Sequence, residues 1–367
     1  HFFGVIVVQI IAIGMLVTLG SGVIIHLKSL LPNLVVFRPR ATSPRPWVDA
    51  HVLTAVLFLP FLFTIAYTGV LIHANRLFPN TAIQRPDRGG GGGHGQHHSV
   101  PLSPLAPVLA DAATKYGPDK LGFLQFSPRT ISVFRADGST IRLTRDHLEY
   151  DRKTGERLKE VSKDSPAAST SQFLSGIHMA RWAPATVRWL YFVSGIAGYV
   201  MFATGLVMFL LKRRRKAEGR SPLGMVLAEG LTLATVLGLP LACVGVLWAN
   251  RLLPAGMTSR VETETSTLFL VWAVAALHAL LRGGGLHILR GWREQATLLS
   301  ATLLLLPALD VATRWHWMGM QDQNVYFAVD AVAFALGLSA LHLRRVLSRK
   351  ETVRPDDLVS LSGGVKL

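Results

Sequence analysis

Thirteen histidines punctuate this chain, and seven of them stand at the ends of long apolar blocks. An ionisable side chain is costly at membrane depth, so its recurrence there points to chemistry. His26 closes the first block and His51 opens the second. His73 closes the second, His178 leads into the third, and His1 starts the first. His278 and His342 lie near the ends of the fifth and seventh. His51 and His73 are 22 residues apart, about 33 Å at about 1.5 Å per helical residue, so no single cofactor reaches both. The histidines therefore fall into two layers, each able to supply a pair of imidazoles. Imidazole is a common axial ligand of haem iron, so two stacked b-type haems would fit such layers. Proton-relay and transport sites use the same residue types, and the spacing alone leaves them open.

Other chemistries are excluded or left bare. Cys243 is the only cysteine, so no disulfide, thiolate zinc or iron–sulfur site can form within the chain. There is no Cys-x-x-Cys-His, so any haem is non-covalent. Gly89 to Gly93 follows no strand and Gly283 to Gly285 is a short loop, so no dinucleotide fingerprint is present. An electron donor, if one is needed, is external. The tract holding His94, His97 and His98 is read as a flexible loop, with metal binding as the alternative. Asp310 and Asp330 are candidate proton acceptors or partners for Arg314, with structural pairing preferred. Glu229 is expected among lipid headgroups.

These residues are positioned by apolar elements. Half of the 367 residues are hydrophobic and only 16% are charged, well below a soluble domain of this size. Seven blocks are long enough to cross a bilayer, at 2–27, 48–73, 186–211, 223–250, 266–281, 296–313 and 324–343. The net charge is +16, but Lys and Arg sit at the block ends, which argues for membrane orientation and against nucleic acid. Lys28, Arg38, Arg40, Arg45, the run Lys212 to Lys216, Arg282, Arg290, Arg293 and Arg344 to Lys350 all fall on one side if the chain threads alternately. The positive-inside rule makes that side cytoplasmic and puts His1 and residues 74–185 in the periplasm. The chain begins at His1 rather than Met, so its natural N-terminus is expected to be missing.

The expected layout is helices 1 and 2 over 1–78, an insert over 79–175, helices 3 to 7 over 176–350, and a cytoplasmic tail over 351–367. Within the insert, 104–116 reads as a short helix, and Leu121–Phe126, Ile131–Arg135 and Arg142–Tyr150 as strands. Asp137-Gly138 marks a hairpin turn, and Asp151 to Glu156 a second turn.

Several motifs carry a family likeness. Ser21-Gly-Val-Ile-Ile-His26, Phe37-Arg-Pro-Arg40, Trp47-Val-Asp-Ala-His51 and Tyr67-Thr-Gly69 resemble the opening of PepSY-associated transmembrane proteins. Gly176-Ile-His178-Met-Ala-Arg181, Arg188-Trp-Leu-Tyr191 and Ala203-Thr-Gly-Leu-Val207 resemble that family's third helix. Trp248 to Pro254 and His278 to Arg282 extend the likeness, and Tyr150 to Glu156 resembles a PepSY module spanning about 104–161. The chain is similar in particular to the inner-membrane ferric-siderophore reductases of Gram-negative bacteria that handle ferrioxamine.

The resemblance implies an α-helical integral membrane protein with about seven transmembrane helices and a small periplasmic α+β PepSY-like domain between helices 2 and 3. It implies an oxidoreductase of the inner membrane with two non-covalent b-type haems. His26, His51 and His178 carry over as axial ligands and His1 matches less closely; His278, within a matching motif, is a further cofactor-binding candidate, and His73 and His342, outside the motifs, are reserves. Electrons from a quinol or a cytoplasmic flavoprotein would pass His26 and His51, then His178 with His1 or His73. They would reduce Fe(III) in a periplasmic ferric siderophore, which hydroxamates hold far better than Fe(II). Arg314 to Met320 and Trp182 offer a docking surface, or an aromatic belt at the membrane interface. The alternatives are a siderophore permease, for which Pro60 and Pro240 are the only mid-span breakers, and a PepSY-based regulator without haem.

Overall fold

A computed structural model describes residues 2–30, 36–40, 44–72, 101–162, 164–216, 223–283, 287–314 and 323–351. Seven helical spans are long and apolar enough to cross a membrane: Gly4–Ile25, Arg45–Ile72, Ala185–Lys216, Leu223–Leu252, Arg260–Leu281, Ile288–Arg314 and Val325–Ser348. The protein is a multi-pass membrane protein. The large apolar side chains these helices leave exposed, such as Ile10, Ile11 and Val274, suit contact with lipid. Each span overlaps its expected block, and the largest difference is in the sixth, which starts eight residues earlier, at Ile288 rather than 296. The fifth gains six residues at its start, where the polar turn Arg260–Thr265 is already helical.

The chain divides into two units, 1–202 and 203–367. In the first, α1 (Phe2–Leu30) packs on α2 (Arg45–Ile72). The inserted module follows: α3 (Leu105–Tyr116), then strands β1 (Leu121–Phe126), β2 (Thr130–Arg135), β3 (His147–Asp151) and β4 (Arg157–Val161). The strands form an antiparallel meander in chain order. Alternation puts Ile131, Val133, Leu148 and Tyr150 on one face, where Val108 and Ala112, one turn apart on α3, close the core. α4 (Pro166–Met179) then leads to α5 (Ala185–Lys216).

Three expectations about the module change. Residues 142–146 are not strand. The amide of Leu143 instead donates to the Gln172 carbonyl of α4, so this stretch docks the module on a helix. Asp137-Gly138 does form the expected turn, with the Ser139 amide donating to Ala136 O at 3.0 Å, but that turn opens a long connection to β3 rather than closing a tight hairpin. β4 was not anticipated, because Arg157–Val161 is mostly charged and largely exposed as an edge strand. The turn before it is the one expected: Asp151 Oδ1 accepts from the amides of Lys153 and Thr154 at 2.8 and 2.9 Å.

The second unit holds α6 (Leu223–Leu233), a π-helical segment (Ala234–Gly238), α7 (Leu239–Leu252), α8 (Arg260–Leu281), α9 (His287–Arg314) and α10 (Gln323–Glu351). The π segment frees a carbonyl on its first residue, and Trp272 Nε1 donates to Ala234 O at 3.0 Å.

Candidate functional site

The first unit builds its histidine environments around α2. His51 lies in the second turn of that helix, and its Nδ1 is 2.8 Å from the Met201 carbonyl of α5. A carbonyl only accepts, so Nδ1 carries the proton and Nε2 carries the lone pair. Asp49, two residues earlier and buried, accepts from Arg38 through Nε, Nη2 and the backbone amide, with Arg45 at 3.4 Å. This fastens the segment after α1 beside His51.

His178 sits near the end of α4, which ends at Met179, where Ala180 adopts a left-handed conformation. The motif expected to run into the third span is therefore split between two helices. Struts hold the split in place. Trp182 Nε1 donates to Gly176 O, Tyr191 OH to Ile177 O, and Arg188 to Arg181 O. Trp182, a candidate docking residue by sequence, thus has its indole N–H turned to the backbone. Gly176 lets the module approach: a Cβ there would fall 1.6 Å from the Ile141 carbonyl oxygen.

The imidazole of His178 lies against α2 at Thr68 and Gly69. Its Nδ1 is 2.9 Å from Thr68 Oγ1, and a Cβ on Gly69 would come within 3.3 Å of its Cε1. Thr68 has one hydroxyl proton, and Oγ1 is 2.7 Å from the Thr64 carbonyl. That proton goes to Thr64, so Oγ1 must accept from His178 Nδ1–H. Burial lowers the His178 pKa below its ordinary value, against a smaller raising effect of the Ile65 carbonyl. A neutral ring with Nδ1 protonated presents Nε2, the form that binds iron.

Thr68 is 17 residues beyond His51 on α2, about 25 Å by helical rise. His51 and His178 are thus on two separate levels. Gln9 of α1 donates to Val70 O of α2 at 3.5 Å, and the connection 31–44 reaches about 50 Å at most, too short to join Leu30 to Arg45 in a parallel pair, so the two helices run antiparallel. Counting 17 residues on along α1 and back along α2 brings position 26 level with position 53, within a turn of His51. The backbone therefore sets His26 at the His51 level and the start of α1 at the His178 level. His1, His73, His94, His97 and His98 lie outside the described residues, as do residues 315–320.

Two further features lie close to the His178 level, although His178 itself does not line the second. Gln9 is buried, and its Oε1 has no partner among the described residues. A cavity of about 270 Å³ lies between the end of α2 (Leu71, Ile72) and α4 (Pro166, Ala167, Thr170, Ser171, Leu174). Leu174 precedes His178 by one helical turn on the same face. Gln9 was not singled out by sequence, although a glutamine inside an apolar block is a readable signal, and Thr68 entered only as the middle of the Tyr67-Thr-Gly69 motif.

His278 has a different setting, in the second unit. Its Nε2 is 2.8 Å from Glu294, which also receives Arg282. Its Nδ1 is 3.2 Å from Gln295 Nε2, whose amide donates to Ala275 O. With both ring nitrogens engaged, His278 is built as a link in a polar network and is a poor axial ligand. His342 is exposed on α10. Asp310 takes the structural role: Arg314 donates to it at 2.6 Å and Arg251 lies at 3.3 Å. Glu229 differs from expectation. It is 1% exposed rather than at the headgroups, and Arg214 donates to it at 2.5 Å. Gly230 allows this depth, because α6 there packs directly on Ala279 and Leu280.

Among known proteins, the PepSY-associated TM region family matches residues 1–212. No curated protein and no solved structure matches the chain.

Proposed function

The chain belongs to the PepSY-associated TM region family, and on that premise we propose that it is a bacterial inner-membrane reductase of ferric siderophores. The observation that carries this reading is the pair of histidine levels along α2. At each, a ring is held through Nδ1 by an acceptor on another helix, the arrangement that orients an imidazole for ligation. His51 and His26 are the ligand pair at one level. His178, with His1 or His73, serves the other. Two non-covalent b-type haems held there would supply one-electron transfer between the two faces of the membrane.

The protein's own groups do the rest. Asp49 and the arginines around it fix the His51 level. The struts from Trp182 and Tyr191 hold the end of α4, so His178 keeps its place against Gly69. Following the positive-inside pattern, the His51 level faces the cytoplasm and the inserted module faces the periplasm. Quinol or a cytoplasmic flavoprotein gives the electrons. The substrate is hydroxamate-held Fe(III), and one electron releases it as the weakly held Fe(II). No general acid or base is required of the chain.

The test is replacement of single histidines in purified protein, followed by haem quantitation and reoxidation by a ferric hydroxamate. His178→Ala is expected to leave one haem per chain and to abolish siderophore-driven reoxidation. Two haems retained in His178→Ala would contradict the assignment.

A further inference from the structure

Thr68 has a place in this site that neither its apolar helix nor its own packing requires. It is 1% exposed, within a transmembrane span, and its hydroxyl proton is already given to the Thr64 carbonyl. What remains is an acceptor aimed at His178 Nδ1 from 2.9 Å. The contact joins two elements 110 residues apart in the chain, and Gly69 beside it removes the side chain that would push the ring away. We propose that Thr68 is a positioning residue for His178, fixing the tautomer in which Nε2 faces the bound haem and raising that nitrogen's basicity.

The physical basis is the acceptor on the far nitrogen. An imidazole that donates from Nδ1 gains electron density at Nε2, and the more basic ligand favours the ferric state of its iron. Removing the acceptor weakens this effect, so the midpoint potential of that haem rises. His51 has a backbone carbonyl, Met201 O, in the corresponding position, which no side-chain substitution deletes. Thr68 is therefore the handle through which sequence sets one level independently of the other. The inference builds on the di-haem reading, but its first half concerns the protein alone.

The test compares wild type with Thr68→Val, which keeps the shape and loses the hydroxyl, and Thr68→Ser, which keeps the hydroxyl. Redox titration of the holoprotein should show one haem shifted to higher potential in Thr68→Val, the other unmoved, and Thr68→Ser restored to wild type. Nitrogen NMR of histidine-labelled apoprotein, with the His178 signal identified by its loss in His178→Gln, should show the Nδ1–H form in wild type and its depletion in Thr68→Val. An unchanged potential together with an unchanged tautomer overturns the proposal, and so does an equal shift of both haems. Wild-type protein that binds no haem overturns the reductase reading instead, and the NMR comparison then decides on Thr68.

Discussion

The histidines at the two levels along α2, His51 on that helix and His178 on α4, are prepared in the same way by unlike partners, a backbone carbonyl for His51 and a hydroxyl for His178. Space around His178 is as tightly set as its hydrogen bond. A Cβ on Gly69 would meet Cε1 at 3.3 Å, so Gly69→Ala displaces the ring by a few tenths of an ångström. Gly69→Leu displaces it outright. In difference spectra of purified protein, Gly69→Ala is expected to keep both haems and Gly69→Leu to lose the one at His178. Retention of both in Gly69→Leu would contradict the geometry. The histidines themselves were legible, because ionisable residues stand out in apolar blocks. Their partners were not, because Met201 and Thr68 acquire meaning only once helices distant in the chain pack together. Glu229 shows the same limit: its position near a block end suggested headgroups, while Gly230 and Arg214 allow burial.

Among the elements, α4 links the module to the membrane part, and its tightest point is Gly176. Any side chain there collides with the Ile141 carbonyl, so Gly176→Ala should destabilise the first unit by about 3 kcal/mol or more. Thermal unfolding in detergent checks it, and a melting temperature equal to wild type would refute the docking. In the module core, Tyr150 donates to Asp111 at 2.9 Å. Tyr150→Phe should cost about 1 kcal/mol, the usual worth of such a bond. The Asp151 turn gives a pH signature. Backbone amides of Thr154 and Lys153 hold its carboxyl below the usual 3.8. Its stabilisation is thus complete above that value and is lost as the pH falls below it. Asp151→Ala should flatten the acid limb of the module's stability curve; an unaltered limb would show the turn contributes nothing. Both this turn and α3 were legible, since turn chemistry and a 3.6-residue period are local. β4 and residues 142–146 were not, because one is a charged edge and the other spends its backbone amide on α4.

At the scale of the whole molecule, seven apolar spans were plain from hydropathy, whereas the split between α4 and α5 was not, since a left-handed Ala180 leaves no mark in composition. Orientation is open to direct labelling. In a Cys243→Ser background, Thr114→Cys on the module should react with an impermeant maleimide on spheroplasts, and Arg213→Cys only after lysis. The reverse pattern would invert the proposed topology and with it the direction of electron flow. The central claim, that two histidine levels hold two haems, is tested most directly by the visible spectrum of detergent-purified protein, oxidised and dithionite-reduced, with a pyridine haemochrome assay. Two non-covalent b-type haems per chain, reoxidised by a ferric hydroxamate, is the result predicted. Protein that stays colourless when produced in haem-replete cells would contradict it.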